Sequence, residues 1–228
     1  MMDDLNRILV EKAQALCRCD LGFADLSTLP EETKTLGMPR AISVMVPLSK
    51  AVLSQVVEAP TISYFSHYRS VNRMIDMIVT NLTLELESRG YPSFPIAASQ
   101  SNPKQPYHGV FSHKIAAVLS GKGYIGKNAL FLHREYGSMV RLGTLLTEAP
   151  VQCEHSPSPS RCGTCQICRQ VCPAMALEGN HWTALDPRAP LIDAKACSDY
   201  MKSAFHHIGR GVVCGLCITH CPMNLEKK

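Results

Sequence analysis

The chain has 228 residues, 46% of them hydrophobic, enough for one large core with or without a small appendage. No run approaches the roughly 18 uninterrupted apolar residues of a membrane helix, so no membrane partner is expected. The opening stretch MMDDLNRILVEKAQAL mixes charges through its apolar positions, unlike a secretory signal, and a cytoplasmic location is expected. Eleven cysteines in a chain of this length do not fit a secreted disulfide scaffold, and their placement points to metal: residues 20–152 contain none, and nine follow. The formal charge of +4 carries no argument for nucleic acid, because bound metal centres would change the count.

In chain order, Leu5, Ile8, Leu9, Ala13 and Leu16 recur at helical spacing. Ala41 to Leu48 (AISVMVPL) reads as a buried strand. Val71, Met74, Ile75, Ile78, Val79, Leu82 and Leu86 form one stripe, the clearest helix in the chain, which Gly90 stops. Pro95 to Ala98 reads as a short strand, Ile115, Val118 and Leu119 as a helix ending at Gly121, and Met139 to Thr147 as a strand. The expected fold class is therefore α+β (mixed α/β). The expected domains are residues 1–150, a Ser- and Pro-rich linker over 151–161, and a cysteine-rich module over 162–228.

In that module, Cys162, Cys165, Cys168 and Cys172, followed by Pro173, fit the bacterial ferredoxin pattern C-x2-C-x2-C-x3-C-P without a mismatch. Three closely spaced thiolates take three corners of a cubane, and the fourth projects to a neighbouring cluster. A second run, Cys214, Cys217 and Cys221 before Pro222, lacks the first cysteine, which Cys197 can supply. The ligand count then closes on two 4Fe–4S clusters: one on Cys162, Cys165, Cys168 and Cys221, the other on Cys172, Cys197, Cys214 and Cys217. A pair of structural zinc sites is the alternative, although zinc does not require the third cysteine at the same interval. Cys17, Cys19 and Cys153 lie outside the pattern. The first two read as ordinary thiols, and Cys153 beside His155 is a weaker ligand candidate.

Gly121-Lys-Gly-Tyr-Ile-Gly126-Lys127-Asn128 contains GxGxxG and most of a P-loop. It follows a helical pattern instead of leaving a strand, and Asn128 stands where the P-loop needs Ser or Thr for Mg²⁺. A helix cap at Gly121 and a tight turn explain it better than nucleotide binding does.

The segment GKGYIGKNALFLHREYGSMVRLGTLLTEAP, the eight-cysteine module and the early LGFADLS together resemble the epoxyqueuosine reductase family and its short iron–sulfur relatives, over nearly the whole chain. The resemblance implies a nitroreductase-like N-terminal domain holding cobalamin, followed by a small bacterial ferredoxin-like two-cluster module that passes electrons to the cobalt. It implies a ferredoxin or flavodoxin electron donor and the same crossed cluster ligation. Lys127 and Asn128 become the leading cofactor-side residues. His113, on the helix before the Gly-rich turn, faces either a cofactor or solvent. Tyr68, in the aromatic, basic segment Ser63–Arg69, lines a pocket or only a helix entry. Two departures stand out. The family carries an aspartate, the proton donor, upstream of IGKN, where this chain has Gln-Pro-Tyr107-His108-Gly, so Tyr107 becomes the candidate acid, with simple packing in a loop as its alternative. The family also continues into a helical-repeat domain that grips tRNA, whereas this sequence stops seven residues after Cys221. The expectation is a small-molecule substrate in preference to tRNA. The competing readings are an electron-transfer protein that docks a partner and has no substrate of its own, and a flavin-binding reductase.

Overall fold

In the computed structural model, which describes residues 4–30, 36–100, 102, 104–153, 156–182, 191–209 and 211–224, the apolar stripe read from Val71 belongs to a longer helix of 27 residues. The elements in order are α1 (Asp4–Gln14), β1 (Asp20–Asp25), β2 (Arg40–Pro47), α2 (Lys50–Leu53), α3 (Ile62–Ser88), β3 (Ser93–Ile96), α4 (His113–Leu119), β4 (Gly123–Ile125), β5 (Phe131–His133), β6 (Val140–Thr147), α5 (Ile167–Gln170), α6 (Ala194–Phe205) and α7 (Leu216–Thr219). The mixed α/β class expected from the sequence is the class observed. Among the described residues, no helix is long and apolar enough to cross a membrane.

The chain separates into two compact units that do not follow the linear division at 150 and 161. The first comprises Met1–Pro47, Val71–Gly123 and Arg141–Ser158; the second comprises Leu48–Ser70, Tyr124–Val140 and Pro159–Lys228. The cysteine module therefore shares its unit with two earlier segments.

The first unit is built on a four-stranded sheet in the order β1-β2-β6-β3. β1 and β2 pair antiparallel with Phe23 opposite Ile42, and β3 pairs antiparallel with β6, Pro95 opposite Leu145. Residues 41–46 of β2 are all buried, so that strand reads as a continuous apolar run without alternation. Ile75, Ile78, Leu82 and Leu86 of α3 are fully buried. Gly143 of β6 lets the helix approach, because a Cβ there would strike Ile75. A satellite core of Leu26, Met38, Ile96, Phe111, Ala116 and Leu146 gathers α4 against the sheet. α4 ends as its sequence suggests, with Gly121 at φ +70° donating its N–H to the carbonyl of Val118 at 2.9 Å.

The second unit is made of short pieces. β4 and β5 form a hairpin across the Gly-rich stretch. In its turn the N–H of Gly126 bonds the carbonyl of Leu130, and Asn128 Oδ1 accepts from the Leu130 N–H at 3.2 Å. Asparagine at that position thus closes a turn, a local job that serine or threonine would do less well.

Candidate iron–sulfur centre

The first cysteine run folds as a tight loop leading into a single helical turn. Gly163 adopts φ +50°, the Cys165 N–H bonds the Cys162 carbonyl at 2.9 Å, and α5 then carries Cys168, with Cys172 just beyond its end. The second run repeats this. Gly215 at φ +85° opens α7, where the left-handed backbone demands glycine and where a Cβ would meet the ring of Tyr64. Cys217 sits on α7 and Cys221 follows it. The stretch beyond is tied down by Asn224, whose Nδ2 donates to the Ile218 carbonyl at 2.6 Å and whose Oδ1 accepts from the Ser138 N–H at 2.9 Å.

Cys162, Cys165, Cys168 and Cys221 line one cavity, together with Lys127, Asn128, Leu132 and Met223. The third of these cysteines and the fourth are 53 positions apart (168 to 221), so the grouping is made by tertiary structure. The other four also lie near one another: the groups acting on the Cys217 thiol are Cys214, Cys197 and Cys172, followed by Cys168. Cys197 is delivered by α6, whose N-terminus is capped by Asp193 through the Ala196 N–H at 2.9 Å. Among the described residues, no three His, Cys, Asp or Glu side chains converge on a point as a single bound ion demands. The first four thiols ring a cavity instead, which suits a multi-iron core that takes one thiolate per corner.

Electrostatics favour the same donor set. Burial pushes the Cys168 thiol up to about 11, and Cys162 and Cys221 push it the same way. Cys217 is raised by burial and then by Cys214, and Cys214 and Cys221 are raised by burial, with backbone N–H groups partly offsetting it. Left alone, these thiols are neutral. Only a strongly positive core makes four adjacent thiolates favourable, as it does whenever metal displaces thiol protons. Tyr124 stands beside Cys162 and Cys221 in the same apolar cluster, its hydroxyl pushed up to about 12 by burial and then by Cys162. Neither Tyr124 nor Ser138 carries a spacing signal of its own, although they lie inside the GYIGKN and YGS stretches that bear the family resemblance.

The remaining predicted residues divide between the units. Lys127 and Asn128, expected at a corrinoid, line the cysteine cavity at 5% and 3% exposure, and Asn128 Nδ2 donates to the Cys217 carbonyl at 3.2 Å. Tyr68, also in the second unit, is half-buried with its ring edge-on to Tyr64 at 6.4 Å. His113 belongs to the first unit and is half-buried. Its Nδ1 pairs with Thr144 Oγ1 at 2.8 Å and its Nε2 with the Ala97 carbonyl at 3.0 Å. Burial pulls it down to about 4, so it is neutral, donating from Nε2 and accepting at Nδ1. Tyr107, likewise in the first unit, is exposed in a loop at φ +67°. Cys17, Cys19 and Cys153 all fall in the first unit, apart from the eight, and burial raises each of their thiols, Cys19 to about 12. His155 lies outside the described residues.

Residues 161–224 match the family model of a 4Fe–4S double cluster binding domain. Over 129 residues the chain is 37% identical to an epoxyqueuosine reductase of Gloeobacter violaceus, covering 52% of this chain and 37% of that protein. Over that stretch the chain is similar to epoxyqueuosine reductases. The matched part spans little more than a third of that relative's own length. In three dimensions, an epoxyqueuosine reductase bound to an epoxyqueuosine-modified tRNA-Tyr stem loop superposes with a TM-score of 0.60 at 20% identity, covering 98% of this chain and 66% of that one. The catabolic reductive dehalogenase NpRdhA, in complex with 3-bromo-4-hydroxybenzoic acid, superposes with a TM-score of 0.74 at 16% identity, over 95% of this chain and 31% of that one. These likenesses establish the fold.

Proposed function

We propose that this chain is an iron–sulfur oxidoreductase of the epoxyqueuosine reductase-like kind. Cys162, Cys165, Cys168 and Cys221 would hold one 4Fe–4S cluster, and Cys172, Cys197, Cys214 and Cys217 the other. The observation that carries this reading is the convergence of Cys221 with the three cysteines of the first run on one cavity, which is the crossed ligation that the spacing requires. The clusters supply one-electron transfer, and a cobalamin, suggested by likeness to reductive dehalogenases and epoxyqueuosine reductases, supplies the reducing metal centre.

Around the clusters the chain's own part is to exclude water and fix ligands. Leu132, Met223 and Tyr124 surround the first four thiols with apolar surface, and Ser138 and Asn224 hold the strand of chain that bears Cys221. The corrinoid part of the reading rests on resemblance. Of the residues expected to face it, His113 has both nitrogens engaged and Lys127 and Asn128 belong to the cysteine cavity. Tyr107 is the proposed proton donor, on the strength of an exposed phenol in the loop where the family has its acid. A nitroreductase-like topology for the N-terminal domain and a cytoplasmic setting, where thiols stay reduced, complete the reading. The substrate is a reducible electrophile. An epoxyqueuosine-bearing tRNA stem loop is the first to test and small electrophiles the second, with a ferredoxin or flavodoxin as donor.

The test is anaerobic titration of the iron-reconstituted protein with cob(II)alamin, followed by EPR and visible spectra. A base-off cobalt spectrum saturating at one equivalent establishes the corrinoid, and a Tyr107→Phe variant that binds it equally but turns over at least tenfold more slowly establishes the acid. Eight irons per chain with no cobalt change leaves an electron-transfer protein or a flavin reductase. Failure to retain more than residual iron overturns the cluster reading itself.

A further inference from the structure

Lys127 occupies the turn of the β4–β5 hairpin and is one of the residues that line the cavity ringed by Cys162, Cys165, Cys168 and Cys221. It is 5% exposed, and among the described residues no carboxylate pairs with it and no hydrogen bond is made by its ammonium. A lysine at the wall of such a cavity is stabilised by an anionic group inside it. Four neutral thiols offer nothing of the kind. Four thiolates around a +2 core carry about −2, and one-electron reduction makes that about −3.

Asn128 is pinned on both sides, accepting from the Leu130 N–H and donating to the Cys217 carbonyl, so the turn that carries Lys127 is held in place. The thiols of the second group, Cys172, Cys197, Cys214 and Cys217, are not among the residues that line this cavity with Lys127.

We propose that Lys127 is the built-in counter-charge of the cluster on Cys162, Cys165, Cys168 and Cys221, and that it sets that cluster's reduction potential above its partner's. This rests on the reading that these thiols hold a 4Fe–4S core. The physical content is simple. A fixed positive charge stabilises the reduced core more than the oxidised one, so an added electron resides preferentially at that cluster. No bond forms or breaks, and the electron comes from a low-potential one-electron donor.

The experiment is an EPR-monitored anaerobic redox titration of the reconstituted full chain, with dithionite as reductant, on the wild type and on Lys127→Met, Lys127→Gln and Lys127→Arg variants, each with its iron count. In the neutral variants one of the two midpoint potentials is expected to fall, by a tenfold or greater change in the reduction equilibrium, which is 59 mV or more for a one-electron couple. The other midpoint should move less, and arginine should restore the first. Loss of four of eight irons in the neutral variants alone, with arginine restoring them, supports the same role. Unmoved potentials at eight irons, equal shifts of both clusters, or an arginine variant that behaves like the neutral ones would overturn it and mark Lys127 as packing only. A wild type that holds no clusters would instead overturn the underlying cluster reading.

Discussion

The two units of this chain are each stabilised by different physics. The first has a four-stranded sheet, residues 71–88 of α3 and a set of fully buried aliphatic side chains. Its internal polar groups largely find partners within it: Asn6 exchanges two hydrogen bonds with Gln152, Asn72 links Ser99 to Arg141, and Lys122 pairs with Asp20 at 2.8 Å. Apart from α6 and residues 62–70 of α3, the second unit uses four-residue helices, three-residue strands and left-handed glycines, and it gathers the eight cysteines of the module. Helices that short have no stability of their own. The first unit folds from its apolar pattern, whereas the second is arranged around something it must bind, so that metal binding there is also folding energy.

The widest separation between the units should come from removing iron. Anaerobic chelation of the reconstituted protein is expected to abolish most amide exchange protection in residues 162–172 and 214–224. Protection in β2 and in residues 71–88 of α3 should persist, because different regions open with different free energies. Hydrogen exchange with mass readout decides it. Equal loss in both units would mean that the first depends on the metal as well, and the contrast between them would fail.

A core truncation in the first unit sharpens the comparison from the other side. Leu82 is fully buried on α3, and Leu82→Ala should cost about 2–5 kcal/mol through lost burial and the cavity left behind. The reading is the opening free energy of β2 amides, with the iron content of the folded protein unchanged. Iron lost without any change in sheet protection would contradict it.

The same contrast explains which features are legible in the amino-acid sequence. β2, β6 and the apolar stripe of α3 announce themselves because long elements repeat a period several times, and the cysteine spacing announces itself because a cubane fixes local intervals. β4 and β5 span three residues each, too few to show alternation, and the fold of the Gly-rich stretch is legible only as a cap and a turn. The jobs of Lys127 and Asn128 are hidden for a different reason. Asn128 answers to a carbonyl 89 residues away, and no local pattern encodes that partner. The division of the chain is hidden likewise, since residues 48–70 and 124–140 join the cysteine module through tertiary contacts, while composition marks only the Ser- and Pro-rich stretch between.

The smallest effect tests whether the polar groups of the first unit are indeed satisfied internally. His113 is held near pKa 4 by burial, with the Ala97 carbonyl and Asp76 pulling the other way and Arg141 adding to the depression. In the unfolded chain a histidine titrates near 6.5. Between about pH 6.5 and pH 4 the unfolded state therefore binds a proton that the folded state refuses, and stability falls as pH falls through that window, by at most about 1.4 kcal/mol per unit. At pH 7 and above the effect is absent. His113→Gln keeps an N–H for the Ala97 carbonyl and an oxygen for the Thr144 hydroxyl but cannot titrate, so its opening free energies should decline less steeply over the same window. Exchange measured on β6 amides at pH 7, 6 and 5 supplies both curves. Parallel curves would mean that His113 protonates without cost in the folded chain and that this unit, too, keeps an unsettled group in its interior.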